Sequence, residues 1–221
     1  MINHSHELLI RTLKVRWQKL LESYHIDQQM GAPIFQEILS AYSEPHRHYH
    51  NLNHLNHMFH ELDSCKTDSC NAVTNEMLWA VWYHDFIYKP GAKTNEAKSA
   101  KKAKESMGKL DIQQSSIDKV VSHILVTENH QCETNDSDTQ FFLDADMAIL
   151  GSDEISYAKY RKAVRQEHSN IPDFLFNRGR KKFLSTVLEQ KFIFASSYFK
   201  NRYEQIAREN IKSELLALKT G

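Results

Sequence analysis

Residues 77–88 read MLWAVWYHDFIY, and this stretch decides the fold. Met77, Leu78, Trp79, Ala80, Val81 and Trp82 form an unbroken apolar run, which suits a helix buried on all sides. Thr74 is a good N-cap, and Lys89-Pro90-Gly91 is a stop, so the spacing predicts a helix from about Thr74 to Ile87. His84 and Asp85 are adjacent polar residues at the end of that apolar run, and burying both unpaired is expensive. A divalent cation relieves the cost, because it accepts the imidazole lone pair and neutralises the carboxylate. Neighbouring helical side chains point about 100° apart, so such an ion lies between the two directions.

Two ligands do not complete a site, and the flanking sequence offers more. The preceding segment is predicted as a helix from about Asn51 to Leu62, with His50, His54 and His57 at i, i+4 and i+7 on one face. Downstream, a polar loop at residues 132–140 (CETNDSDTQ) is followed by FFLDADMAILG at 141–151. There Asp144 and Asp146 interrupt an apolar run much as His84 and Asp85 do.

The rest of the chain reads as helix too. Leu8, Leu9, Leu13, Trp17, Leu20 and Leu21 give a first amphipathic helix, and Ile34, Ile38, Leu39 and Tyr42 a second that ends before Pro45. Further helices are predicted at Asn95–Met107, Ser115–Thr127 and Glu154–Glu167. A long helical stretch then runs from Asp173 toward Leu218, broken near Arg178–Arg180 or around Lys191. Only six glycines and four prolines punctuate the sequence, and no repeat or linker divides it. The expectation is an all-α bundle, a single domain spanning 1–221.

Composition excludes several classes. Lysine plus arginine equals aspartate plus glutamate at 28 each, so no global charge draws the chain to nucleic acid or an anionic membrane. No apolar run approaches the roughly 20 residues a membrane helix needs. Cys65, Cys70 and Cys132 are odd in number, have no CxxC spacing and follow no signal peptide, so a reducing cytoplasmic setting without disulfides is expected. The unusual number is 13 histidines, many of them between His46 and His84.

A histidine, an HD pair on the next helix and a distant aspartate in an Ala-Asp context resemble the HD superfamily of metal-dependent phosphohydrolases. More narrowly, RHYHNLNHL, WYHDFIY, NEAKSA and FLDADMAILG resemble an uncharacterised bacterial family of predicted HD phosphohydrolases, across nearly the whole chain. The resemblance implies an all-α HD-domain bundle with metal ligands at His54, His84, Asp85 and Asp146. His50 is an alternative or supplement to His54, and Asp144 is the alternative to Asp146. His130 and His123, lying between the HD pair and the last aspartate, are the candidates for a second metal, with Asp85 as the bridge. The mixed nitrogen and oxygen set suits Mn, Fe, Co, Ni or Zn, with Mg when waters fill the shell.

The implied activity is hydrolysis of a nucleotide or other small phosphate ester by a metal-activated water. Asp85 and Glu96 are the expected catalytic groups, and Lys93, Asn95 and His50 the expected substrate contacts. Arg178 and Arg180 in NRGRKK read first as helix-end or surface charges, and second as a phosphate grip. The rival readings are an HD-type di-iron oxygenase and a non-catalytic nucleotide-binding module. The expected partner is a small phosphorylated molecule, with no nucleic-acid polymer and no membrane; Phe192, Phe194, Tyr198 and Phe199 suit a core or a homodimer interface.

Overall fold

The computed structural model describes residues 2–65, 73–130 and 136–220. Along the chain run α1 (Ile2–Ser23), α2 (Gln28–Tyr42), α3 (Leu52–Cys65), α4 (Asn75–Tyr83), α5 (Asn95–Gly108), α6 (Gln114–Leu125), α7 (Ser137–Met147), α8 (Glu154–Glu167), α9 (Asp173–Glu189) and α10 (Ser197–Thr220). Short 3-10 turns follow α6 at Val126–Glu128 and α7 at Ala148–Gly151, and no strand occurs among the described residues. The expected all-α class is what the chain adopts. None of the described helices is long and apolar enough to cross a membrane.

Helix α4 is the axis of the fold and touches α1, α3, α5, α6 and α7. Its Met77 and Trp79 through Tyr83 are all buried, as its apolar run requires. Thr74 caps it, accepting the Met77 N–H at 3.3 Å. Trp17 of α1 meets Trp79 and Trp82 edge-on, at centroid distances of 5.2 and 5.7 Å. Its indole N–H donates to the Gly31 carbonyl of α2 at 3.1 Å. The buried apolar residues form one cluster reaching from Leu13 to Ile211.

The helix ends at Tyr83, four residues before the predicted Ile87, so His84 and Asp85 leave it in a turn. Carbonyls released there find other donors. The buried Arg47 guanidinium donates to the Asp85 carbonyl at 2.7 Å and the Phe86 carbonyl at 2.9 Å, and Ser99 exchanges hydrogen bonds with the backbone of Ile87. Likewise α3 starts at Leu52, where Asn51 accepts the Asn53 N–H, so His50 precedes the helix and shares no helical face with His54 and His57.

One further expectation is corrected, and one that left two alternatives open is decided. The polar loop expected through Gln140 gives way to α7 at Ser137, capped by Asp136, while residues 131–135 lie outside the described chain. Phe141, Phe142, Leu143 and Ala145 are buried on several sides of α7, so no one-faced periodicity marks it. The C-terminal stretch breaks around Lys191 and runs unbroken through Arg178–Arg180. Glu204 there accepts the N–H groups of Ile193 and Phe194, and Arg208 takes the carbonyls of Leu188, Gln190 and Lys191. Phe194 and Phe199 are buried, whereas Phe192 is 46% exposed; Cys65 is buried, and Cys70 and Cys132 lie outside the described residues.

Candidate metal centre

Three elements bring the candidate ligands together: α3 carries His54, the turn after α4 carries His84 and Asp85, and α7 carries Asp146. His84 is 1% exposed, and its Nδ1 lies 3.0 Å from the Val81 carbonyl. A carbonyl only accepts, so that nitrogen holds a proton, and Nε2 is the ring atom that faces the cluster. His54 Nε2 lies 3.0 Å from His84 Nε2. Asp146 Oδ1 stands 3.3 Å from His54 Nε2 and 3.8 Å from His84 Nε2. Asp85 Oδ2 stands 3.1 Å from His84 Nε2 and 3.7 Å from His54 Nε2.

His54, His84 and Asp146 form a group that can hold a metal ion, their donor atoms all lying within 4.8 Å of one another. Cations of this type sit about 2.0–2.2 Å from nitrogen and oxygen donors, which places neighbouring donors roughly 3 Å apart. The spacings among His54, His84 and Asp146 match that requirement, whereas Asp85, 3.1 Å from His84 Nε2, stands outside the group. The electrostatics are those of a cluster dominated by carboxylates, in which a cation would have to displace the His84 Nε2 proton. Burial pulls the His84 pKa down, but Asp85 and Asp146 outweigh it and hold the imidazole at about 9. Burial pushes Asp85 and Asp146 up, yet the surrounding histidines bring both below the ordinary carboxylate range. Burial lowers His54 despite Asp146 beside it. Both carboxylates are therefore ionised at neutral pH, as ligation requires.

His130 also reaches the cluster, its Nε2 standing 3.2 Å from Asp146 Oδ2. Its backbone φ of 48° lies in the left-handed region, which turns the chain back after the 3-10 turn. Asp146, not the expected Asp85, is thus the carboxylate shared between His130 and the His54 side. His123 is not brought in: it is fully buried, with Nδ1 2.8 Å from the Thr139 hydroxyl, because α6 turns it toward the start of α7. Asp144 is also committed elsewhere, since its two oxygens accept the N–H groups of Ala195 and Ser196 at 2.9 and 2.7 Å before α10. Burial pushes its pKa up to about 6.

Beside the cluster is a cavity of about 230 Å³ lined by His84, Asp85 and Asp146 together with His50, Glu96 and Arg180. His50 and Glu96 therefore stand where the sequence expects site residues. Asn95 does not: it is buried, and its amide bonds both the N–H and the carbonyl of Lys89, latching the loop after the HD turn. Lys93 is exposed in that loop, and neither Lys93 nor Asn95 is among the residues lining the cavity.

Sequence reasoning missed two residues. Glu167 has a fully buried side chain and accepts hydrogen bonds from the Tyr49 and His50 N–H groups and the Tyr88 hydroxyl, with His50 Nδ1 at 2.7 Å. Burial raises its pKa, but His50 brings it down to about 2. The other is Arg47, whose guanidinium holds the HD turn and the His50 carbonyl. Its position three residues before His50 was the available signal; Glu167, 117 residues from His50, had none.

No protein-family model, curated protein or solved structure matches this chain. Similarity therefore places it in no family.

Proposed function

We propose that the chain is a metal-dependent phosphohydrolase that holds a divalent cation through His54, His84, Asp85 and Asp146. The observation that carries this reading is the convergence of two buried imidazole nitrogens 3.0 Å apart with an Asp146 oxygen 3.3 Å from one of them, and an Asp85 oxygen 3.1 Å from the other. Mn, Mg, Fe, Co, Ni and Zn all suit such a donor set. Bound there, the cation supplies Lewis acidity, drawing charge from phosphoryl oxygens and making water a better nucleophile at neutral pH.

The protein's own groups do the rest. His50 lines the cavity with Nδ1 fixed by Glu167, and its side chain is 22% exposed, so its Nε2 can hand a proton to a leaving oxygen. Glu96 lines the same cavity and can orient the attacking water. Tyr49, Tyr88, Tyr160 and Phe183 close the walls against bulk solvent. A cavity of about 230 Å³ suits a phosphate group and the first atoms of its ester, with the remainder of the substrate outside. That favours a small phosphate ester, a nucleotide among them, in a cytoplasmic enzyme.

A second reading has a specific observation behind it: the 3.2 Å contact of His130 with Asp146 suits a pair of cations sharing Asp146. A redox pair of irons there would make the chain an oxygenase. Elemental analysis of the purified protein and of Asp85→Ala, with phosphate release from nucleotides and a generic phosphate ester, tests both readings. Metal lost in the variant together with metal-dependent phosphate release supports the hydrolase. Two irons with oxygen uptake and no phosphate release favour the oxygenase, and a folded, metal-free, inert protein overturns both in favour of a binding module.

A further inference from the structure

A second cavity, of about 540 Å³, lies between α1, α3 and α4 and shares no lining residue with the one beside His84 and Asp85. Leu8, Arg11, Val15 and Lys19 recur at three- and four-residue steps, so one face of α1 forms a whole wall. From Leu8 to Lys19 that wall is about 16 Å long at 1.5 Å per residue. Its accessible apolar surface is aliphatic: Leu8 is 58% exposed, Val15 is 45% exposed, and Leu78 of α4 is half-buried. Phe59 and Trp82 are buried beneath and shape the floor. Exposed leucines and valines scattered singly mean little, but these line one concavity of the size that takes a small molecule.

Charge selects the occupant. Three cations line the cavity, Arg11, Arg16 and Lys19, against one carboxylate, Asp63. Arg16 is committed, since its guanidinium donates to Asp63 at 2.6 Å and lies over the Phe59 ring. Arg11 and Lys19 are exposed, and among the described residues neither side chain has a hydrogen bond or an ion pair. An apolar wall beneath a rim with two uncompensated cations complements a molecule that is apolar along its length and anionic at its head. We propose that this cavity binds a free fatty carboxylate, its chain along α1 against Leu8, Val15 and Leu78 and its head on the rim carrying Arg11 and Lys19. A free molecule is favoured over a bilayer surface, because a flat surface does not enter a concavity and the chain's charges balance at 28 each.

The probe is ω-bromodecanoate, whose bromine can be located by anomalous scattering in crystals of the full chain. The expected result is bromine in van der Waals contact with Leu8, Val15 or Leu78. Affinity by calorimetry should weaken about tenfold or more in Val15→Glu and in the double variant Arg11→Gln with Lys19→Gln. All three positions are exposed and their side chains hold no bond in the fold, so circular dichroism should show both variants folded. Bromine only elsewhere, or equal affinity in the wild type and both variants, overturns the proposal. Weakening in Val15→Glu with the double variant unchanged overturns the anionic head in favour of a neutral apolar ligand. Binding to phosphatidylglycerol vesicles without binding of the free carboxylate overturns it in favour of a membrane face. None of these results depends on a bound metal, so the inference stands or falls apart from the metal reading.

Discussion

Two buried polar clusters sit in this molecule, and they are built differently. Where α8, α9 and α10 meet, Arg180 bonds both oxygens of Glu214 at 2.8 and 3.2 Å and the Tyr160 hydroxyl at 3.0 Å, while Tyr157 donates to Glu214 at 2.6 Å. Arg180 and, at 3.6 Å, Arg161 meet one anion, and hydroxyls take up what remains. Where α3, α4 and α7 meet, two imidazole nitrogens face each other 3.0 Å apart between two carboxylates, and His54 Nδ1 has no partner. The first cluster satisfies itself and joins helices; the second sets two carboxylates against imidazoles that carry positive charge only when protonated. Burial of charge alone does not mark a site, but an unbalanced set of buried donors and acceptors does.

The sharpest way to break the contrast is to truncate one residue in each cluster. Asp85→Ala should lower metal-dependent phosphate release about 10³-fold while the chain stays folded by circular dichroism, because a ligand and its charge are lost together. A variant that keeps both metal and turnover would remove Asp85 from the site. Glu214→Gln should do the reverse: it strands the buried Arg180 and should lose about 3–5 kcal/mol in urea unfolding, with metal content unchanged.

Glu167 belongs to the site side yet behaves as a structural carboxylate, so it sharpens the comparison. Its pKa is about 2 in the fold against an ordinary 4.5. Because the folded value is the lower, its contribution to stability is complete above about pH 4.5 and is lost as pH falls toward 2. Glu167→Gln should flatten that acid limb in unfolding measured against pH, and it should also lower turnover by loosening His50. A limb unchanged in the variant would assign the acid sensitivity to other carboxylates. The smallest effect is expected at Gly151, where an added Cβ would stand 2.5 Å from Tyr203 Cβ on α10. Gly151→Ala should cost about 1–3 kcal/mol through overpacking, with metal binding intact.

Much of the architecture was legible because its signals are local. The apolar run at 77–82, the Thr74 cap and the span of α8 from Glu154 to Glu167 all follow from sequence and recur in the fold. Helix α7 was not legible, since residues buried on several sides of a helix leave no amphipathic period. The break around Lys191 was one of two candidates, and long-range bonds from Glu204 and Arg208 stabilise it there.

The sequence by itself determined the helical class and the pool of candidate ligands, because side-chain chemistry and 3.6-residue periodicity are properties of short segments. Only the tertiary structure decided which members of that pool meet. It turned Asp146 toward His54 and Asp144 toward the backbone before α10, placed His130 beside Asp146 and His123 beside Thr139, and tied His50 to Glu167. Two aspartates separated by one residue are equal candidates in a sequence. They diverge because successive helical side chains point about 100° apart, and the packing of α7 assigns each direction a different neighbour.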